Sequence, residues 1–269
     1  MPIEQISFSE YRSRPGLNSH YLIDILKSPA LAKYNKDHDS DSPALKFGRA
    51  FHTAILEPDE LLNRYAVKPA DLKRNTKAGK AAYKELEASG KEILDADEFN
   101  RIGAMQHAIY SHPISSKFFG AITQTELSLF WRDENGHENK ARLDAVYKPG
   151  ALVARNAILD VKTCVNANPR AFQRAIDNYG YALQAAHYLE GANACELKLG
   201  VFLIIAVESE PPHQVAVYQL DQDYLDICSQ KLARARDLHR ECTRTGIWPG
   251  HEEKIHKVLT PAHILEEEY

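Results

Sequence analysis

The sequence predicts an α/β fold in which helices flank a mixed central β-sheet, with a helical region at the N-terminal end. Helical periodicity dominates the chain as far as Phe119, and strand-like alternation follows between Glu126 and Lys162. Beyond that stretch, helical and strand-like segments take turns, which is typical of layered α/β domains. The chain has 269 residues and contains no repeat or linker-like stretch, so we expect one domain over residues 1–269.

The composition is that of an ordinary globular protein, with 44% hydrophobic and 26% charged residues. No apolar run approaches the ~20 residues of a membrane span, and the N-terminus lacks the apolar segment of a signal peptide. We therefore expect a cytoplasmic protein with no membrane contact. The four cysteines never form a Cys-x-x-Cys pair, which favours reduced thiols over a zinc site. With a net charge of −4, any nucleic-acid contact must use local basic patches.

The N-terminal region is predicted to be helical, because apolar residues recur there at three- and four-residue intervals. Asn18 or Ser19 caps the first helix, which restarts at Ser28-Pro29, and the polar residues 35–43 then predict a surface loop. Among the later helices, one carries His52, which by itself is more simply explained as a packed boundary residue than as a ligand. These later helices are predicted over residues 44–56, 77–89, 96–111 and 115–119.

Positive charge is concentrated between Lys68 and Lys91, where basic residues outnumber acidic ones. Such a segment is either an ordinary solvated helix face or a surface that contacts phosphates without regard to sequence. On the second interpretation, Arg74, Lys77 and Lys80 are candidates for phosphate contact.

The sheet is predicted to begin with a hairpin. Residues 126–131 alternate as a strand, Asp133-Glu134-Asn135-Gly136 predicts the turn, and residues 138–147 return. The nearly continuous apolar run over 197–207 is typical of a central strand buried on both faces. The other predicted elements are strands at 157–162 and 214–220 and helices at 170–178, 181–189 and 221–245, the last with a mostly solvated basic face that includes Arg236.

Two of these strands carry the residues that suggest chemistry. Asp160 and Lys162 point to the same face, because side chains alternate along a strand. Asp144 lies 16 residues earlier, a suitable separation for a strand, a loop and a return strand, so two carboxylates and a lysine can meet. Carboxylates suit Mg²⁺, and a neighbouring lysine can orient or deprotonate water. The arrangement indicates metal-assisted phosphodiester hydrolysis.

Further residues share this pattern along the chain. Gln184 and Tyr188 lie four residues apart and therefore on one helix face. The order of the candidate site residues along the chain resembles that of the RecB-like group of the PD-(D/E)xK nuclease superfamily, although Leu143 stands where the motif often has proline. The residues in this order are His52, Asp144, Asp160, Lys162, Gln184 and Tyr188. More closely, most of the chain resembles the nuclease domains of RecE-type exonucleases (exodeoxyribonuclease VIII). The segments that carry this closer resemblance are residues 19–30, 46–58, 74–80 and 159–163 and Trp248-Pro249.

The resemblance implies a restriction-endonuclease-like core that digests duplex DNA from 5′ ends with Mg²⁺ and leaves 3′ single strands for recombination. It also implies a ring-shaped homo-oligomer and a RecT-like single-strand annealing partner. The implied metal ligands are Asp144, Asp160, the backbone carbonyl of Val161 and His52. Because an imidazole ligand suits Mn²⁺ better than Mg²⁺, Mn²⁺ is expected to substitute.

The resemblance leaves several roles open. Lys162 either positions water or offsets charge on the phosphate. Gln184 and Tyr188 either contact the DNA backbone or orient Lys162. Glu126 is either an outer carboxylate of the metal site or an exposed strand acid. Five residues are candidates for DNA contact, namely Arg49, Arg74, Lys77, Lys80 and Arg142. Of these, Arg142 can equally pair with a carboxylate.

Three other functions are compatible with these residues. Two are enzymatic, namely a RecB-like nuclease of the opposite polarity and a structure-specific endonuclease. The third is a nuclease fold that binds DNA without cutting it, which the intact acids and lysine disfavour.

Overall fold

The computed structural model of the chain describes residues 2–38, 42–150 and 153–260. Its strands are β1 (Ile3–Glu4), β2 (Tyr65–Lys68), β3 (Glu92–Asp95), β4 (Ile122–Arg132), β5 (Glu138–Tyr147), β6 (Ala157–Cys164), β7 (Val201–Glu208) and β8 (Val215–Gln219). Its helices are α1 (Phe8–Ser13), α2 (Ser19–Lys27), α3 (Pro29–Asp37), α4 (Pro43–Leu56), α5 (Leu61–Arg64), α6 (Lys77–Ala88), α7 (Ala96–Ser111), α8 (Ser115–Phe119), α9 (Pro169–Tyr179), α10 (Tyr181–Ala194) and α11 (Gln222–Thr245).

The central sheet has six strands in the order β1-β4-β5-β6-β7-β8. Neighbouring strands are antiparallel except for the parallel pair β6 and β7. The predicted α/β fold with a mixed sheet flanked by helices is therefore confirmed. The short strand β1, the helix α1 and the small parallel pair of β2 and β3 were not predicted. Segments of two to six residues carry too little periodicity to identify them from sequence.

Helices cover both faces of the sheet and form two cores. Alternate side chains of β7 show the division, since Phe202 and Ile204 belong to one core and Leu203 and Ile205 to the other. The first core also includes apolar side chains of α2, α9, α10 and α11, and the second those of α4 and α7. The prediction that the apolar run ending at Val207 forms a strand buried on both faces is confirmed, although the strand begins at Val201.

The predicted helix starts agree with observed caps. The Asn18 side chain accepts a hydrogen bond from the Tyr21 backbone N–H at 2.9 Å, and the Thr76 hydroxyl accepts one from Gly79 at 3.0 Å. Ser28 caps α3 directly after α2 ends. These bonds satisfy backbone donors that have no partner within the helix. Of the predicted loop over residues 35–43, the ends belong to α3 and α4, and residues 39–41 lie outside the described part of the chain.

A tight junction joins α9 to α10. Gly180 stands between them with φ of 72°, a left-handed conformation that glycine adopts without steric cost. A Cβ atom at this position would lie 2.9 Å from Cδ1 of Ile23 on α2. The junction therefore needs glycine both for its backbone angle and for the close approach of α2.

One residue of α11 departs from the predicted solvated face. Arg236 is buried, and its guanidinium donates to Asn139 Oδ1 at 3.0 Å and to Glu190 Oε2 at 2.9 Å. The expectation that it faces solvent was wrong, because the Glu190 carboxylate of α10 neutralises its charge and the Asn139 amide oxygen of β5 accepts its hydrogen bond. All four cysteines are free thiols, as expected. Within the described ranges, no helix is both long enough and apolar enough to cross a membrane.

Candidate active site

The site lies where β5 and β6 separate. Their last described pair is Ala145 with Leu159, whereas β6 continues to pair with β7 as far as Cys164. Asp144 and Asp160 occupy the next positions beyond that last pair. Their backbones are therefore adjacent at the mouth of the gap, and helices of both layers reach it. This is the meeting of two carboxylates that the strand-loop-strand spacing predicted.

Three potential ligands meet on the α4 side of the gap. One donor atom each from His52, Glu126 and Asp144 lies within 4.8 Å of the other two, a spacing in which one cation can contact all three. Asp144 Oδ2 is 3.4 Å from His52 Nδ1 and accepts a hydrogen bond from the Val161 backbone N–H at 2.9 Å. Of the implied ligands, His52 and Asp144 belong to this group of three, whereas Asp160 and Val161 do not. Glu126, for which the sequence left open an outer place at the metal site or an exposed strand position, joins the group.

Glu126 reaches this group through an unusual backbone angle. Its φ is 54°, in the left-handed region that residues other than glycine rarely adopt. Residues held in such conformations concentrate at functional sites, where the surrounding structure maintains them. On β4, Glu126 lies between the residues that pair with Leu143 and Ala145 of β5, and so stands opposite Asp144.

Arg142 pairs with a carboxylate, one of the two alternatives left open by the sequence. Its Nε donates to Glu126 Oε2 in a short contact, and its Nη1 donates to the Ile6 carbonyl at 2.7 Å and to Ser128 Oγ at 3.1 Å. The side chain is only 9% exposed. Arg142 therefore holds Glu126 in place, and the suggestion that it clamps a DNA phosphate does not fit its buried position.

Asp160 is held from the α10 side. Its Oδ1 accepts a hydrogen bond from Gln184 Nε2 at 3.1 Å, and its Oδ2 lies 2.6 Å from Lys162 Nζ. Tyr188 is buried one turn after Gln184 on the same helix, and burial raises its pKa well above the usual value. Gln184 thus contacts the carboxylate that pairs with Lys162, and Tyr188 lies one helical turn further along the same face. Because both are buried, the alternative in which they touch the DNA backbone does not fit the structure.

Burial shapes the ionisation of the site. It raises the pKa of Asp160 to about 6 and also raises the pKa values of Asp144 and Glu126. Burial alone would lower the pKa of Lys162, but the Asp160 and Asp144 carboxylates outweigh it and the net shift is upward. Burial, assisted by the Lys162 charge, lowers the pKa of His52. Near neutral pH the lysine is an ammonium ion and the histidine is a neutral imidazole able to bind a metal.

The donor set fits a divalent cation. Among the described residues, none donates a well-aligned hydrogen bond to the buried Asp160 Oδ2. The contact of this oxygen with Lys162 is therefore an ion pair, and the oxygen keeps a lone pair that a cation could use. Carboxylates whose pKa values are raised by burial would be stabilised as anions by a cation between them. His52, Glu126 and Asp144 would provide side-chain ligands, with Asp160 beside them. Oxygen donors with one imidazole suit Mg²⁺ and Mn²⁺.

The residues predicted to bind DNA lie in two places. Arg49 is on α4, one turn before His52, and its guanidinium is 3.3 Å from Glu92 Oε2 of β3. Arg74, Lys77 and Lys80 are exposed near the start of α6, where the Arg74 guanidinium lies 3.6 Å from the centre of the Tyr83 ring. That contact orders Arg74 while leaving it open to solvent, as a phosphate contact requires.

Two residues near the site were not identified from sequence. Tyr181 is the first residue of α10, the helix that carries Gln184, and the centre of its ring lies 5.1 Å from Lys162 Nζ. His20, on the first turn of α2, interacts electrostatically with Lys162 and Asp160; surrounding protein atoms, and then Lys162, lower its pKa. Tyr181 has the periodicity of a core residue. His20 lies within the segment over residues 19–30 that carries the closer resemblance, but it is one of 12 histidines and was given no role.

Comparison with known proteins agrees with this architecture. Residues 21–259 match the PDDEXK-like domain family of unknown function, DUF3799. The fold is similar to the crystal structure of a provisionally named exonuclease from Eubacterium rectale, with 14% identity, 99% of this chain and 100% of that chain covered, and a TM-score of 0.59. SSO0001 shows 13% identity over 84% of this chain and 81% of its own, with a TM-score of only 0.35. No curated protein sequence matches significantly. The chain therefore belongs to the PDDEXK-like family DUF3799, within the PD-(D/E)xK nuclease superfamily.

Proposed function

We propose that this protein is a Mg²⁺-dependent exonuclease that digests double-stranded DNA in the 5′-to-3′ direction and leaves 3′ single-stranded tails for recombination. The observation that carries the proposal is the convergence of His52, Glu126 and Asp144 next to the Asp160–Lys162 ion pair. Membership in a nuclease superfamily supports hydrolysis of phosphodiesters. The name of the similar Eubacterium rectale protein is consistent with exonuclease action. The direction and the recombination role rest on the resemblance to RecE-type domains.

The residues at the site have separate roles in the proposed reaction. When bound, a divalent cation would stabilise negative charge on the phosphate during hydrolysis. Lys162, kept as an ammonium ion by Asp160, donates hydrogen bonds to water or to a phosphate oxygen next to these carboxylates. Gln184 fixes the Asp160 carboxylate, and Arg142 fixes that of Glu126. Preorganised charges of this kind avoid reorganisation during the reaction.

The wider setting of the reaction follows from the same resemblance. We propose that Mn²⁺ can replace Mg²⁺, that the protein forms a homo-oligomeric ring, and that a RecT-like annealing protein receives the single strands. Exposed Arg74, Lys77 and Lys80 would contact the duplex, and Arg49 would lie nearer the site. A cytoplasmic location is part of this proposal.

Digestion of end-labelled linear duplex DNA tests the activity. With Mg²⁺, the 5′ label should be released first, and EDTA should stop the release. Lys162→Ala should remove hydrolysis but retain DNA binding, because the ammonium group acts on the phosphate at the site and contributes little to duplex affinity. Lys117→Ala, at an exposed position on α8, is the matched control.

Each alternative has its own outcome. Release of the 3′ label first would indicate the opposite polarity, and cutting of covalently closed circles would indicate an endonuclease. Binding without hydrolysis in either Mg²⁺ or Mn²⁺ would indicate a non-cleaving DNA-binding protein. Full hydrolysis by Lys162→Ala would reject the site itself.

A further inference from the structure

An aromatic column runs from the core to solvent beside Lys162. Tyr218 stacks on the fully buried Phe172 with ring centres 4.7 Å apart, and the Phe172 and Tyr181 centres are 6.2 Å apart. Tyr179 stacks on Tyr181 at 5.6 Å with an angle of 25° between the rings. The column therefore begins in the first core and ends on a tyrosine at the surface.

The outermost ring is held open to solvent. Tyr179 is 65% exposed, although stacked on its neighbour, and is the last residue of α9. The left-handed turn at Gly180 brings its ring against that of Tyr181, and the close contact between Gly180 and Ile23 holds the turn against α2. A large apolar ring that is ordered yet exposed is a preformed binding surface rather than a mobile side chain.

The position of the column relates it to the site. Lys162 Nζ lies 5.1 Å from the centre of the Tyr181 ring, and Tyr179 is the next ring outward. Exposed Arg170 and Arg174 on α9 place positive charge on the same helix. A strand whose phosphate lies at Lys162 thus has a flat aromatic surface within reach of a neighbouring base.

We propose that Tyr179 and Tyr181 form a stacking platform for an unpaired base next to the phosphodiester being cut. This inference rests on the proposed nuclease function and adds that the base next to the cleaved bond is unpaired when the strand is bound. Inside a duplex, both faces of a base are covered by neighbouring base pairs, so only a terminal or unpaired base can offer a face to Tyr179. Aromatic rings on a positively charged path bind single-stranded nucleic acid in this way, with little regard to base identity. The platform offsets part of the unstacking cost that separating the strand end requires.

A cycle that pairs a protein change with a substrate change tests the platform. The protein variants are Tyr179→Ala, Tyr179→Phe and, as an exposed stacked control, Tyr34→Ala on α3, whose ring lies against His38. The substrates are linear duplexes with either a normal or an abasic nucleotide on each side of the first bond cleaved. The measured quantity is kcat/KM in Mg²⁺.

On normal DNA, Tyr179→Ala should lower kcat/KM about tenfold, within the range of a lost base–aromatic stack. Tyr179→Phe should recover most of that loss because it retains the ring, and Tyr34→Ala should match the wild type. On the abasic substrate, the wild type should fall to the level of Tyr179→Ala, and the variant should lose little more. Equal losses from Tyr179→Ala on both substrates would overturn the proposal.

A binding measurement separates this proposal from the nuclease assignment. In EDTA, a terminal 2-aminopurine should lose fluorescence on binding to the wild type but not to Tyr179→Ala. If the wild type cleaves DNA and quenching is the same in both proteins, the platform fails and the nuclease function stands. If the wild type quenches the probe but cleaves no DNA, the nuclease function fails and the platform stands as a site for unpaired bases.

Discussion

Replacing Gln184 by methionine should weaken metal binding at the site by roughly 10- to 100-fold, the usual effect of losing a group that orients a metal ligand. The variant keeps the length and apolar stem of the side chain but removes the Nε2–H that donates to Asp160 Oδ1 at 3.1 Å. Because Asp160 is fully buried, water cannot replace that bond at little cost. A hydrogen bond to a charged group contributes about 1.5–3 kcal/mol, which corresponds to the same range of metal affinity.

Initial rates of duplex digestion at increasing Mg²⁺ concentrations measure this effect. The half-saturating Mg²⁺ concentration should rise, whereas saturating Mg²⁺ should restore most of kcat and leave the KM for DNA unchanged. Tyr188→Phe, which removes the buried hydroxyl one turn from Gln184, should produce a smaller shift in the same direction. Gln230→Met, on the exposed face of α11, provides the control. A normal Mg²⁺ dependence with a raised KM for DNA would refute the reasoning, because it would mean that Gln184 contacts the substrate.

Three further predictions concern ionisation, DNA affinity and stability. Hydrolysis should decline below about pH 6, because burial raises the pKa of Asp160 to about 6 and the protonated carboxyl cannot stabilise a cation. A higher Mg²⁺ concentration should shift the midpoint of the pH–rate profile to lower pH. A midpoint independent of Mg²⁺ would contradict this assignment. Neutralising three exposed basic residues of α6 and the preceding loop, Arg74, Lys77 and Lys80, should weaken DNA binding equally for all sequences. The slope of log affinity against log salt concentration should fall by about 0.9 per lost phosphate contact. An unchanged slope would mean that these residues form an ordinary solvated face. Arg236→Met should lower the free energy of unfolding by about 3 kcal/mol in urea titrations, since it leaves the partly buried Asp133 and Glu190 carboxylates without their cation and the buried Asn139 amide without its donor. Arg240→Met, at an exposed position of the same helix, should have little effect. Equal effects would argue against a structural role for the Arg236 network.

The elements that the sequence determined are those set by short-range physics. Helical periodicity placed α2, α4 and α7, and a predicted cap also marked the start of α2, because the bonds that begin a helix join residues three or four positions apart. Strand alternation placed Asp160 and Lys162 on one face, and the hairpin spacing brought Asp144 toward them. The order of these motifs also indicated the superfamily to which the chain belongs.

Only the tertiary structure decided how side chains pair over long separations. Glu126 enters the ligand group through a left-handed backbone angle, and Arg142 turns toward Glu126 instead of DNA, because β4 and β5 pair in one particular register. The burial of Arg236 depends on distant partners such as Asn139, which lies 97 positions away along the chain. The stacking of Tyr179 on Tyr181 depends on the approach of α2 to Gly180. Periodicity reports which face of an element is apolar, but which charges meet in the gap between β5 and β6 is settled only when both helical layers pack against the sheet.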